Sequence, residues 1–553
     1  MPLENKYGTT MYPLLNSFQQ PRPPAYEDNQ QAPIQQPLSI LVFADSYGFA
    51  SGVLKYAPQD RVGRKVIVTT PPHQLSQQKV QDLLKDRWDL VIYAYGIDEP
   101  KENTAEVILE RQKDVLEVLF YIVKTIDSNR SVESLAVLTV DQFANEEEIH
   151  KEQGFGMVTY GGLYGFCNTA RVELDIPLAL IDTEWSLPET MMPVLSAEVF
   201  RTATFGKLHC ARILKTGRFV QRVVNPLPAY QKAGHKLKLP DSGVIAISGG
   251  NGSVALIIGT WLVQLAGAQG CKGITIKFLS RSQKITDQNM PQWKICQEEA
   301  AKYGVTVTQD KGDVGTPADV YKFVEEHAKT LIGYVHSAGI LADGMIGGMS
   351  WDQFYSVFPP KSNAAIHLHA AFEKYGCPIN FFWMFSSSAV YGNMGQLNYS
   401  TSNATMDAVA RHRRALGKPA LTIQWGAWGE VGMAANLDAL SKKRMNAGPF
   451  PPFTNKQGIE GLEALISTGI AYGSVFILNP EVCLGMTNLD SKDVEKAMRT
   501  LWAPVAPPAP TKNVSPDNAY IVYNSIAGYQ STPESGMVYN HFVRPVVGGE
   551  DDD

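Results

Sequence analysis

The chain has 553 residues, 44% of them hydrophobic and 19% charged, with a formal net charge of −6. That length calls for at least two cores, and a mildly acidic balance without a basic stripe excludes a nucleic-acid binder. The six cysteines (Cys167, Cys210, Cys271, Cys296, Cys377 and Cys483) form no CxxC pair and no metal-ligand spacing. Reduced thiols in a cytoplasmic protein without a metal site are therefore expected.

Residues 1–36 are rich in Pro and Gln, as in "FQQPRPPAYEDNQQAPIQQP", a composition that buries no core and reads as a disordered leader. The beginning lacks a basic segment followed by an apolar one, so no secretory signal is expected. No window approaches the roughly 20 apolar residues of a membrane span. The "PPAY" in the leader has the shape of a WW-domain ligand, which so Pro-rich a stretch produces by chance. The Pro-rich ends are where contacts with other proteins are to be sought.

From residue 37 to 235 the texture changes. "LSILVFA", "KVIVTT", "DLVIYAYG" and "SLAVLTV" are short apolar runs bounded by polar segments, and "TAEVILERQKDVLEVLFYIVKTI" has helical spacing. Alternating strands and helices predict a parallel sheet covered on both faces. The turn after the first strand, "ADSYGFASG", carries no Gly-rich phosphate loop.

A second alternation occupies 236–488. It runs from "GVIAIS" through a helix near 254–266, "GITIKFLS", a helix near 291–303, "VTVTQD", "LIGYVHSAG", "INFFWMFSS" and "PALTIQWGAW" to "NKQGIEGLEALISTG" and "GSVFILN". The fold expected is α/β, with two doubly wound Rossmann-like subdomains, the first degenerate and structural, the second catalytic. Residues 489–553, with "APVAPPAPTKN" and "GGEDDD", read as a mostly irregular tail.

In "AISGGNGSVALIIGTWL" a Gly-rich turn joins a strand to an apolar helix. The turn Gly249, Gly250, Asn251, Gly252, Ser253 and Val254 is the candidate phosphate cradle, with Gly250, Gly252 and Ala255 matching G-x-G-x-x-G/A. The next strand ends on Ser280 and Arg281, where an acidic residue would bind the ribose hydroxyls of NAD. A guanidinium there suits a 2′-phosphate, so NADPH is the expected cofactor.

"FSSSAVYGNMGQLNYSTSN" places Ser386 at a strand end and Tyr399 thirteen positions on, at the start of a helix, with Asn403 one turn further on the same face. A ketone is reduced when donors hold its oxygen and a proton arrives as charge develops. A phenol can give that proton beside a cation, and a serine hydroxyl can orient the carbonyl.

Taken together these motifs resemble the ketoreductase domain of modular polyketide synthases and animal-type fatty acid synthases, within the short-chain dehydrogenase/reductase superfamily. The resemblance spans about 38–488 and includes "SGGNGSVA", "LSRS", "GDV", "VHSAGILADG", "FPPKSNAAIHLH", "FSSS…GQLNYSTSN" and "WGAWGEVGMA". The first half is similar to that family's structural subdomain through "GGLYGFCNTARVELDIPLALIDTE".

The resemblance implies Tyr399 as proton donor and Ser386 as orienting hydroxyl. Other short-chain reductases have lysine where Asn403 stands; the ketoreductases exchange the two positions, and "FPPKSN" supplies Lys361. Asp313 and Val314 of "GDV" would lie near the adenine, and Ser337, Ala338 and Gly339 would line the nicotinamide side through their backbone, with His336 a packed residue. "GEVGM" would close over the nicotinamide end.

The chain departs from the family at Ser248 (usually Thr) and Ala255 (usually Gly), whose methyl could displace the helix start. Asp343 is kept, but Ala342 stands where B-type members often carry a second Asp, and Tyr391 stands where A-type members carry Trp. The pattern leans to a B-type product.

No segment matches a ketosynthase, acyltransferase, dehydratase or carrier-protein serine. The expected protein is a free-standing NADPH-dependent 3-oxoacyl reductase, acting on a β-ketoacyl thioester of polyketide or fatty-acid synthesis carried by an acyl carrier protein supplied in trans. Two other readings stay open: a ketoreductase-like structural or interaction subunit with weak or no activity, and a short-chain reductase of free ketones.

Overall fold

Runs of Ile, Val, Leu and aromatic residues too short for buried helices make strands that are covered on both faces. Leu90–Gly96, for example, is buried at every position. The computed structural model describes residues 3–4, 10–21, 37–143, 155–203, 210–224, 236–431, 443, 445–447 and 450–477.

The N-terminal half comprises β1 (Leu3–Glu4), β2 (Thr10–Pro21), β3 (Leu38–Phe43), α1 (Phe49–Lys55), β4 (Val62–Val68), α2 (Gln77–Leu83), β5 (Leu90–Gly96), α3 (Ala105–Asn129), β6 (Leu135–Val140), α4 (Phe155–Tyr160), α5 (Gly162–Glu173), β7 (Leu178–Thr183), α6 (Met192–Arg201), β8 (Cys210–Leu214) and β9 (Gly217–Val224). The C-terminal half comprises β10 (Ser242–Ser248), α7 (Ser253–Gln269), β11 (Gly273–Ser280), α8 (Met290–Tyr303), β12 (Thr306–Lys311), α9 (Pro317–Glu326), β13 (Leu331–His336), α10 (Trp351–Tyr355), α11 (Ala364–Tyr375), β14 (Phe381–Ser387), α12 (Leu397–Ala415), β15 (Leu421–Trp425), α13 (Asn455–Thr468) and β16 (Tyr472–Ile477).

In the C-terminal half the strand order is β12-β11-β10-β13-β14-β15-β16, all parallel. This is the doubly wound order, with its switch point between β10 and β13. The N-terminal half repeats the pattern as β4-β3-β5-β6-β7-β8, parallel throughout, and adds β9 antiparallel. Both doubly wound halves expected from the sequence are thus present. The hairpin β8–β9 interrupts the strand–helix alternation at the end of this half.

Within the segment whose composition suggests a disordered leader, Thr10–Pro21 is a strand that pairs antiparallel with both β9 and β16. Main-chain pairing needs no apolar composition. The expected tail, 489–553, lies outside the described residues. Among the described residues no helix is long and apolar enough to cross a membrane.

The two halves meet along α5 and α12. A Cβ on Gly165 would collide with the Ser400 carbonyl, one on Gly161 with Ala408 Cβ, and one on Gly162 would come 2.7 Å from Thr405 Oγ1. At Gly165 the helices therefore approach backbone to backbone, and α12 is buried at almost every position from Leu397 to Arg413. Substituting Gly165→Ala overpacks this contact and is expected to destabilise the protein by about 1–3 kcal/mol. Gly312→Ala, with nothing within 4 Å of the added Cβ, is expected to be neutral, and urea unfolding midpoints check both.

Candidate active site

The turn after β10 is shaped by what its glycines exclude. Gly249 has φ 67°, and a Cβ there would lie 2.8 Å from the Ala338 main chain; one on Gly250 would lie 2.7 Å from Phe278 Cα. Gly252 caps α7 without a side-chain bond, and the first turn of α7 has no acidic residue. The N–H groups left over at a helix start suit an anion. Asn289 fastens the turn, accepting from Ser253 Oγ (2.7 Å) and donating to the Asn251 carbonyl (2.8 Å). Ala255 is buried in the core behind the turn, so its methyl is accommodated by packing.

Two clefts open at the carboxyl edge of this sheet. The smaller, about 450 Å³, is lined by Arg281, Lys311, Asp313, Val314 and Lys322. Asp313 Oδ1 accepts the Gly315 N–H at 2.9 Å and Asp319 Oδ2 accepts the Asp313 N–H at 3.0 Å, so both carboxylates are engaged by main chain. Arg281 is exposed and makes no ion pair among the described residues. Ser280 is buried instead, its hydroxyl accepting the Gln283 N–H at 3.1 Å; it secures the turn that presents Arg281.

The larger cleft, about 830 Å³, is lined by Gly249, Gly252, Ser253, Val254, Ser337 and Gly339 from the loops, and by Lys361, Ser386 and Tyr399. Three of the four residues selected by sequence line this cleft, and Asn403 is buried behind it, one turn after Tyr399 on α12. Lys361 lies in a short π-helix, Pro359–Asn363, and is only 3% exposed. Its Nζ donates to the Phe385 carbonyl at 3.0 Å and lies 4.9 Å from the centre of the Tyr399 ring. Ser386, also 3% exposed, donates to the Asn403 carbonyl at 3.4 Å, and its hydroxyl also faces the buried Asp407 carboxyl. Asn403 Nδ2 donates to the Tyr399 carbonyl at 2.9 Å, and its buried Oδ1 has no partner among the described residues. An unmet buried acceptor at this place fits a water or a ligand hydroxyl. Of the neighbouring serines, Ser387 accepts the Ala389 N–H at 3.2 Å.

His336 lies behind Lys361. Its Nε2 donates to the Lys361 carbonyl at 2.8 Å, which requires the proton on Nε2, so Nδ1 accepts from Ser248 Oγ at 2.8 Å. Burial lowers its pKa to about 4. The imidazole is a neutral strut between the phosphate-type turn and the lysine, the packed role expected for it.

This arrangement of turn, strand-end hydroxyl, phenol and separate lysine matches known proteins. The KR domain model covers residues 243–430. Residues 243–430 belong to the KR domain family. Over 308 residues, 54% of its length, the chain is 30% identical to a phenolphthiocerol/phthiocerol polyketide synthase from Mycobacterium tuberculosis, of which it covers 15%. Over 141 residues, 25% of its length, it is 38% identical to polyketide synthase GfsB of Streptomyces halstedii, covering 2% of that protein. The chain thus spans a small part of these relatives. Among solved structures, an A-type ketoreductase from a modular polyketide synthase aligns with TM-score 0.67 and 19% identity, covering 86% of this chain and 95% of its own. The first ketoreductase of the tylosin synthase aligns with TM-score 0.64 and 21% identity, covering 86% and 95%. At these identities they bear on fold alone, and the fold they share includes both halves.

Within the KR domain, Tyr391 points away from the cleft: its hydroxyl meets Gln424 Oε1 at 2.8 Å and Ser474 Oγ at 2.7 Å. The sequence lean drawn from this position therefore has no contact with the cleft behind it. Asp343 lines the cleft and accepts from Gln396 Nε2 at 3.1 Å. Val431 of "GEVGM" lines it too, whereas Gly432 and Met433 lie outside the described residues. Trp425 and Trp428 form part of the wall. They stand in the quoted "WGAW", but an aromatic strand end reads as core, and only the sheet register shows that it reaches the cleft.

The strut has a pH consequence. An imidazole held near pKa 4 against about 6.5 when unfolded contributes stability fully present above 6.5 and lost as pH falls toward 4. That amounts to at most about 3 kcal/mol. His336→Gln is expected to flatten the fall in stability between pH 6.5 and 4 relative to the parent, as read by unfolding midpoints across that range.

Proposed function

We propose that this chain reduces the ketone of a β-ketoacyl thioester to the β-hydroxyacyl thioester with NADPH, the thioester being presented by an acyl carrier protein in trans. The observation that carries this reading is Lys361 Nζ 4.9 Å from the Tyr399 ring in a cleft that Ser386 also lines. The dinucleotide fits the residues present: Gly249 and Gly250, where a Cβ would collide with main chain, an uncapped helix start, and Arg281 at the far cleft without an ion pair among the described residues. Gly249–Val254 would hold the pyrophosphate, Arg281 the 2′-phosphate, Asp313 and Val314 the adenine side, and Ser337–Gly339 the nicotinamide side. When bound, the nicotinamide supplies a hydride to the carbonyl carbon.

The protein's own part concerns the carbonyl oxygen. Ser386 donates a hydrogen bond that orients it, and Tyr399 delivers its phenolic proton as negative charge develops there. Lys361, held by the Phe385 carbonyl, places a positive charge beside the ring left anionic. Asn403 fixes the first turn of α12 through the Tyr399 carbonyl and offers an acceptor for the molecule that returns the proton.

A β-ketoacyl N-acetylcysteamine thioester with NADPH provides the test, followed by loss of nicotinamide absorbance. Tyr399→Phe is expected to lower kcat by about 10²–10⁴ with NADPH binding kept; unchanged turnover would rule the reading out. In fluorescence titrations of the purified protein, Arg281→Ala is expected to weaken NADPH binding and leave NADH binding as it was.

A further inference from the structure

Glu173 is the last residue of α5, in the half that carries no phosphate turn. Its carboxylate reaches across to the other half and accepts two main-chain N–H groups, that of Ile346 on Oε2 and that of Gly395 on Oε1, each at 2.8 Å. These peptides lie in the two segments that shape the cleft mouth, one running on from Gly339 and Leu341, the other leading into Gln396 and Tyr399. The segments are also tied to each other, Gly344 N–H to the Gly395 carbonyl at 2.8 Å and Gln396 Nε2 to Asp343 at 3.1 Å. One carboxylate thus sets both. Directly before the two anchored peptides stand Met345, 48% exposed, and Met394, 58% exposed, with Ile340 and Leu341 also exposed nearby. Ile340 and Leu341 also line the cleft, and exposed apolar side chains at a cleft mouth suit an apolar ligand.

We propose that Glu173 is a positioning residue supplied by the structural half, which fixes the mouth of the cleft so that Ile340 and Leu341 receive an apolar acyl chain. The acyl-chain part rests on the reductase reading above. Glu173→Gln keeps the size but turns one acceptor into a donor facing an N–H, so one of the two anchors is lost.

In the full-length protein, amide hydrogen exchange is expected to quicken by about tenfold or more at Ile346 or Gly395 in Glu173→Gln, whichever amide loses its acceptor. This readout needs no turnover. With NADPH and β-ketoacyl thioesters of short and long chain, the variant is expected to raise KM for the long substrate by about tenfold. Its kcat and NADPH affinity should stay within about twofold. Unchanged exchange at both amides overturns the positioning role, whether or not the protein proves to be a reductase. Should Glu173→Gln unfold, Leu341→Gln keeps the carboxylate in place. It is expected to raise KM for the long thioester alone, and equal KM values for the two chain lengths in parent and variant overturn the apolar mouth.

Discussion

Gly161, Gly162 and Gly165 let the start of α5 touch α12 at the main chain of Ser400 and Thr401 and at the side chains of Thr405 and Ala408. The helix that carries Tyr399 and Asn403 is thereby seated on the other half of the chain. Such contacts allow no adjustment by rotamer change, because on one side no side chain is present to move. The position of Tyr399 is consequently set by the N-terminal half as much as by the C-terminal sheet. The residues around it follow from that seat. Ser386 lies at the end of β14, against the Asn403 carbonyl of α12, and Ser362, next to Lys361, accepts a hydrogen bond from Ser402 Oγ.

The charge at the site is held with equal economy. Lys361 is buried, and an ammonium there needs acceptors; the Phe385 carbonyl is one. A second cation close by would raise the cost, and the neutral imidazole of His336 avoids it while still donating to the Lys361 carbonyl. Because Ser248 completes that strut, the exchange of the family's usual Thr for Ser keeps the hydroxyl that the strut requires. The π-helix Pro359–Asn363 is the local distortion that brings the lysine in from outside α12.

Much of this was legible in the sequence because it depends on spacing along one element. Tyr399 and Asn403 share a helix face, Ser386 ends an apolar strand, and the glycine turn sits between strand and helix. The role of Lys361 was legible only through family resemblance, since nothing local marks one lysine among many as buried. Glu173 was not legible at all: its partners are the main-chain N–H groups of Ile346 and Gly395, 173 and 222 positions away, and a backbone amide carries no sequence signature. The inward turn of Tyr391 was hidden for the same reason, because Gln424 and Ser474 reach it through the packing of three strands and a helix. Thr10–Pro21 was not legible from composition, because the strand is defined by main-chain pairing with β16 and β9, which are remote in sequence.

The seat of α12 on α5 has a consequence for mass action. A helix supported by another molecule loses its support on dilution, and its function then depends on protein concentration. Here both partners of the contact belong to one chain, and the glycines that allow it are 161 to 165 in the same sequence that supplies Tyr399. The effective concentration of the support is fixed by the fold itself. Whatever chemistry the cleft performs, the integrity of this helix is first order in the folded chain, the same in a dilute cuvette as in a crowded cell.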